Sequence, residues 1–139
     1  MDIEGKIRLS QSKYLFEFKI DIEQKASQYV LKVQYAGEAG ILNKMVEIAK
    51  KEDLYLVYKK ASSLKKILFR QPYQFTIEDN RVKTGSLPHW NLEAILMGRN
   101  SISFEDESIA NIARKSLIEE LSAFAGKIAS RQGKLFKTN

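Results

Sequence analysis

The chain of 139 residues contains no cysteine and only one histidine, His89. Without cysteine it can form no disulfide, thiolate nucleophile or cysteine-ligated zinc site, and a single histidine cannot build a histidine-rich metal centre. A serine–histidine catalytic triad would have to use His89. These absences exclude many classes of enzyme, and we expect neither a cofactor nor a bound metal.

Long apolar runs and proline are also scarce. The chain has two prolines, and no run approaches the roughly 18 apolar residues that a membrane-spanning helix needs. The N-terminal sequence MDIEGKIRLS lacks the apolar core of a signal peptide. We therefore expect a soluble protein that is cytoplasmic or otherwise intracellular, is not secreted and does not contact a membrane. We expect residues 1–133 to form one globular domain and residues 134–139 to form a flexible basic tail.

Positive charge is concentrated in two parts of the sequence. The formal net charge is +6, and residues 59–99 contain eight basic and three acidic residues. Residues 127–139 contain four basic residues and no acidic one, whereas residues 1–58 contain nine of each sign. Clustering of this kind indicates a polyanionic partner better than net charge alone does.

The spacing of apolar residues predicts most of the secondary structure. Alternation with a period of two predicts strands over residues 6–10, 13–21, 29–35, 53–60 and 73–77, with a short partner strand over residues 81–84. Helical spacing predicts helices over residues 41–51, 62–69, 86–97 and 106–131. The predicted fold class is α+β, with a mostly antiparallel sheet of about five strands covered by helices and a long C-terminal helix. The strand, helix and strand of residues 29–59 leave room for one parallel strand pair.

The first candidate site is a basic, aromatic-bearing surface within residues 55–73. Its basic side chains fall within twelve residues that contain no acidic one: Lys59, Lys60, Lys65, Lys66 and Arg70. Tyr55 and Tyr73 flank them and could stack on bases. Lysine and arginine neutralise phosphates, and aromatic rings stack on unpaired bases with little dependence on sequence. The sequence therefore predicts a non-enzymatic nucleic-acid-binding protein, with DNA and RNA both open. The competing interpretation is that the tyrosines belong to the core and the lysines solvate a helix.

A second pattern, Glu17-x-Lys19 on the polar face of a predicted strand, offers an enzymatic alternative. A carboxylate and a neighbouring lysine can hold a divalent metal and a nucleophilic water for phosphodiester cleavage. The pattern resembles the active-site strand of restriction-type nucleases, and this resemblance implies a metal-dependent nuclease that uses Glu17 and Lys19. Charge pairing between neighbouring strands is the competing structural interpretation.

The long C-terminal helix suggests a third possibility, a homo-oligomeric interaction or assembly protein. Within residues 106–131, four large apolar side chains recur at partly heptad-like spacing: Leu117, Leu121, Phe124 and Ile128. Such a stripe can pack on the chain's own sheet or on a second copy of the chain. A homodimer through residues 106–131 is therefore a further prediction.

Overall fold

The computed structural model describes residues 7–8, 17–60, 73–80 and 87–137, and it describes side chains within residues 17–60, 73–80 and 87–130. These ranges contain seven strands and three helices. In chain order the elements are β1 (Ile7–Arg8), β2 (Glu17–Lys25), β3 (Gln28–Tyr35), α1 (Ala39–Lys51), β4 (Leu54–Lys60), β5 (Tyr73–Asp79), β6 (His89–Asn91), α2 (Leu92–Leu96), β7 (Ile102–Phe104) and α3 (Glu107–Lys137). The predicted α+β class and the long C-terminal helix are confirmed. The helix predicted over residues 62–69 and the strand predicted over residues 81–84 lie outside the described residues.

The strands form two antiparallel sheets, and the single sheet of about five strands that the sequence predicts is not observed. The first sheet has the order β1-β2-β3-β7 and the second the order β5-β4-β6. The predicted parallel pair is wrong, because β3 and β4 lie in different sheets and every strand pair in the described residues is antiparallel. Alternation within a strand shows which side chains face the core, but the neighbouring strand is selected by contacts distant in sequence.

The first sheet is built around the hairpin of β2 and β3. Its register runs from Phe18 opposite Tyr35 to Lys25 opposite Gln28, and two residues connect the strands. Ala26, the first of these two, has a φ of 54°, which is the positive value that tight hairpin turns require. One face of the hairpin is buried in the core, and the other is polar apart from Val30, which is also buried.

The second sheet has β4 as its central strand. Leu54, Leu56 and Tyr58 face the core with exposed fractions of 8%, 0% and 8%, which confirms the predicted alternation. On the opposite face, Val57 is also buried, at 1% exposed. Backbone pairing to β5 on one side and β6 on the other holds β4 in place.

The helix predicted over residues 86–97 is wrong in its first half. Residues His89–Asn91 form β6, in which Trp90 lies opposite Leu56, and α2 begins only at Leu92. The Asn91 side chain caps α2, because its Oδ1 accepts a 3.0 Å hydrogen bond from the Ala94 N–H. Proline in the sequence favours a local helix start, and pairing with β4 overrides that preference. Gly98, with a φ of 69°, ends α2 where the sequence predicts a stop.

Helix α3 packs across both sheets and on α1. Its fully or nearly fully buried side chains are mostly small or aliphatic: Ala110, Ala113, Leu117, Ile118, Leu121, Ala125, Ile128 and Ala129. Asp106 caps the helix, since its Oδ1 accepts a 2.8 Å hydrogen bond from the Ser108 N–H. The helix continues to Lys137, into the segment predicted to be a tail. In the part of the chain that the structure describes, no helix is long and apolar enough to cross a bilayer.

Candidate nucleic-acid interface

A row of aromatic rings lies on the core-facing side of the second sheet. The Tyr58 ring is central: its centroid lies 4.7 Å from that of Phe75 and 5.5 Å from that of Phe104 in β7. The Phe75 ring in turn lies 5.8 Å from Trp90. Burial and the neighbouring Tyr73 raise the pKa of Tyr58 above its ordinary value. Neighbours on several sides therefore hold this ring in place.

Tyr73 extends the row of rings to the protein surface. Its ring stacks on Tyr58 with centroids 5.5 Å apart and an interplanar angle of 30°, and the residue is 45% exposed. Lys60 is exposed and lies directly opposite Tyr73 in the register of β4 and β5. Residues directly opposite each other in an antiparallel pair point to the same face. The exposed Tyr73 ring, which is held by its stack on Tyr58, and the Lys60 cation therefore lie at the same end of the sheet.

The other two predicted side chains in the described residues lie on the opposite face of β4. The Tyr55 ring packs edge-on against His89, with centroids 5.7 Å apart. The Lys59 Nζ lies 2.8 Å from Glu78 Oε1 in a part-buried ion pair. The structure thus brings Lys60 together with the exposed tyrosine ring, and it separates Tyr55 and Lys59 from that surface.

The remaining predicted cations belong to the connection between β4 and β5. Lys65, Lys66 and Arg70 fall within residues 61–72, which lie outside the described residues. Because β4 ends at Lys60 and β5 begins at Tyr73, this connection starts and finishes at the end of the sheet that carries the exposed ring. Its twelve residues contain no acidic side chain.

The predicted nuclease residues lie on the face of the first sheet opposite to Phe18 and Ile20, where Glu17 is buried and Lys19 is half-buried. Glu17 is 9% exposed and lies opposite Arg8 in the register of β1 and β2. The Lys19 Nζ lies 3.9 Å from Asp21 Oδ2 on the same strand. Among the described residues, no group of three or more histidine, aspartate or glutamate side chains is placed to hold a metal ion. The metal-dependent nuclease stays a prediction.

Helix α3 uses the predicted dimer stripe within its own chain. Leu117 and Leu121 are both 0% exposed, so they contact the core of the same molecule. Ile109, which lies outside that stripe, is 45% exposed at the start of the helix. The exposed side of the helix carries Lys115, Glu119 and Lys127. The homodimer through residues 106–131 stays a prediction.

The stack of Tyr73 on Tyr58 is the part of the site that the sequence does not reveal. Alternation places Tyr58 in the core, but its stack with Tyr73 depends on the register of two strands that are separated by twelve residues. The alternation of β4 does contain the signal that Lys59 and Lys60, although adjacent, face opposite sides.

Comparisons of the chain with protein-family models, curated proteins and solved structures find no match.

Proposed function

We propose that this protein binds nucleic acid, with a preference for unpaired strands, at the end of the second sheet where Lys60 and Tyr73 lie. The observation that carries this proposal is the exposed Tyr73 ring, which is stacked on the buried Tyr58 ring. A ring that is already held in place loses little conformational freedom when a base stacks on it. Stacking of a base on an aromatic side chain contributes about 1–3 kcal/mol.

The cations at this end of the sheet support phosphate binding. Lys60 makes no ion pair within the described residues, and the adjoining connection adds Lys65, Lys66 and Arg70. Lys59 is different because Glu78 already neutralises it on the other face. If each of the four cations contacts one phosphate, the logarithm of the affinity for a single strand falls with the logarithm of salt concentration with a slope of about −3.

The preference for unpaired strands follows from the geometry of stacking. In a duplex both faces of each base are covered by the neighbouring base pairs, so Tyr73 can reach only a terminal pair. In a single strand a base can leave its neighbours at little cost and expose a full face to the ring. Phosphate contacts alone would favour the duplex, because a duplex has the higher charge density. A preference for single strands would therefore indicate that stacking on Tyr73 contributes to binding.

A salt-titrated binding panel tests the proposal. Fluorescence anisotropy would measure the affinity of the protein for oligothymidine, oligouridine and a mixed-sequence duplex of equal length, at several salt concentrations. We expect both single strands to bind more tightly than the duplex, with the salt slope given above. Absence of binding at low salt, or an affinity that does not change with salt, would show that the protein does not act through these phosphate contacts.

A further inference from the structure

Within the described residues, strand β3 is paired along the whole of one edge and along only part of the other. On one side, β2 pairs with residues 28–35. On the other side, β7 pairs only with Tyr29, Val30 and Leu31. No other strand in the described part of the chain lies beside residues 32–35. Among the described residues, the second half of β3 therefore has no strand beside this edge.

The alternation of hydrogen bonds shows which backbone groups point to this edge. In an antiparallel pair, every second residue directs both its N–H and its C=O to the same neighbouring strand. Ala36, which follows β3, donates a 2.8 Å hydrogen bond from its N–H to the Glu17 C=O. The backbone N–H and C=O groups of the even-numbered residues of β3 therefore point to β2. Val33 is odd-numbered, and its N–H and C=O therefore point to the open edge. Neither group has a hydrogen-bond partner within the described residues.

An open cavity of about 390 Å³ lies along the same edge. Residues 32–34 of β3 and the neighbouring Asp21 of β2 form one wall, and residues 98–101, which connect α2 to β7, form the other. Asn100 and Ser101 in that second wall carry side chains that can both donate and accept hydrogen bonds. A chain lying in the cavity would therefore meet polar partners on both of its sides.

The charges around the cavity are already compensated within the protein. Each charged side chain in its walls has a partner of opposite sign: Lys32 with Glu23 at 2.8 Å, Asp21 with Lys19 at 3.9 Å, and Arg99 with Glu93. A free anion would have to compete with these carboxylates for the two cations. An uncharged ligand that forms backbone hydrogen bonds has no such competition, and an extended peptide is the ligand whose donors and acceptors repeat with the spacing of a strand edge.

We propose that an extended, uncharged peptide segment of another protein binds along residues 32–35 by β-strand addition. Its backbone N–H and C=O exchange hydrogen bonds with Val33, and its side chains contact the wall formed by residues 98–101. The four residues of the open edge span about 13 Å, which is the length of three or four residues of an added strand. The site lies on the first sheet, whereas Lys60 and Tyr73 belong to the second, so it does not depend on nucleic-acid binding.

The absence of cysteine makes a tethered-peptide experiment possible. Ser103 is exposed in β7, two residues beyond the cavity wall, so Ser103→Cys supplies a single attachment point. A capped Thr-Val-Thr-Val-Thr peptide would be attached there through a short glycine–serine linker, which gives an effective concentration in the millimolar range. The matched control is the same peptide with every backbone amide N-methylated, because it keeps the side chains and loses the donors.

Hydrogen exchange of the Val33 amide, measured by nuclear magnetic resonance, is the readout. We expect the unmodified peptide to slow this exchange about tenfold and the N-methylated peptide to leave it unchanged. Lys32 is the internal reference, because its amide faces β2 and its exchange should not change.

Four results would overturn the proposal. The first is an unchanged Val33 exchange rate with the unmodified peptide, and the second is equal protection by both peptides. The third is protection by inorganic phosphate, which would indicate an anion site. The fourth is protection in the untethered protein that increases with protein concentration, which would show that a second copy of the chain occupies the edge.

Discussion

The Oγ of Ser116 in α3 accepts a 2.8 Å hydrogen bond from the backbone N–H of Phe75 in β5. One helical turn later, Oε2 of Glu120 accepts a 2.8 Å hydrogen bond from the backbone N–H of Ile77. Strand β5 lies at the edge of the second sheet, and these two N–H groups are the ones that an added strand would use. Helix α3 therefore closes this edge with two side chains, whereas the edge of β3 has no such cover in the described residues.

The first prediction concerns the bond between Ser116 and Phe75. In the Ser116→Ala variant the N–H of Phe75 is left without a partner, and water cannot replace Ser116 easily because this residue is only 5% exposed. An unsatisfied buried donor costs about 1–3 kcal/mol. We expect the free energy of unfolding, measured by urea denaturation, to fall by that amount.

The matched control for this variant is Ser130→Ala. Ser130 is exposed in the same helix, so both variants replace serine by the better helix former, and only one of them removes a buried hydrogen bond. We expect Ser130→Ala to change the free energy of unfolding by less than about 0.5 kcal/mol. Equal effects of the two variants would show that the bond to Phe75 does not stabilise the sheet edge.

The same hydrogen bond shows why the sequence predicts elements better than it predicts their arrangement. The alternation that places Leu56 and Tyr58 in the core is local and can be recognised from a few residues. Ser116 and Phe75 are 41 positions apart, and nothing near either residue marks a contact between them. The division into two sheets has the same origin, because it depends on pairing between strands that are distant in sequence, such as β3 with β7.

Helix α3 illustrates a different cause of error. The large apolar residues near the start of the helix, Ile109 and Ile112, suggest that their side of the helix is buried, but the structure buries Ala110 and Ala113 and leaves Ile109 45% exposed. Hydropathy gives large side chains the greatest weight, whereas a helix that lies close to strands and to another helix needs small side chains at the contact. The residue range of the helix could therefore be predicted from the sequence. Which side of its first two turns is buried could not.

The second prediction concerns Tyr73 as a stacking platform. Tyr73→Ala removes the exposed ring and should weaken binding to oligothymidine by about 1–3 kcal/mol, or about 5- to 150-fold in the dissociation constant. Tyr73→Phe keeps the ring and its stack on Tyr58, so it should bind as the wild type does. Fluorescence anisotropy at fixed salt measures both variants. An unchanged affinity in Tyr73→Ala would show that this ring does not contact a base.

The third prediction separates phosphate contacts from net charge. Reversing Lys65 and Lys66 to glutamate should weaken binding to a single strand and reduce the size of its salt slope by about 1.4, because two phosphate contacts are lost. The control reverses Lys50 and Lys51, which are exposed in the last turn of α1, before the opposite end of β4. It has the same net charge as the test variant.

The control should retain most of the wild-type salt slope, because Lys50 and Lys51 lie away from the proposed contacts. If both double variants reduce the slope equally, binding depends on the overall charge of the protein and not on the connection between β4 and β5. Far-ultraviolet circular dichroism of both variants would confirm that neither change unfolds the chain.

The fourth prediction follows from the burial of Tyr35. Burial and the nearby Glu38 carboxylate raise the pKa of the Tyr35 hydroxyl to about 12. In the unfolded chain the same hydroxyl ionises near pH 10. Between these two values the unfolded state binds fewer protons than the folded state, so the free energy of unfolding falls as the pH rises. Below about pH 10 both states are protonated, and Tyr35 adds no pH dependence.

The Tyr35→Phe variant isolates this contribution. Phenylalanine cannot ionise but keeps the ring contact with Phe18, whose centroid lies 5.1 Å from that of Tyr35. We expect the free energy of unfolding of the variant, measured by urea denaturation, to fall less steeply above pH 10 than that of the wild type. Parallel curves would mean that the Tyr35 hydroxyl ionises equally well in both states. Glu38→Gln should lower the pKa of Tyr35 only in part, because burial is the larger of the two causes and remains in that variant.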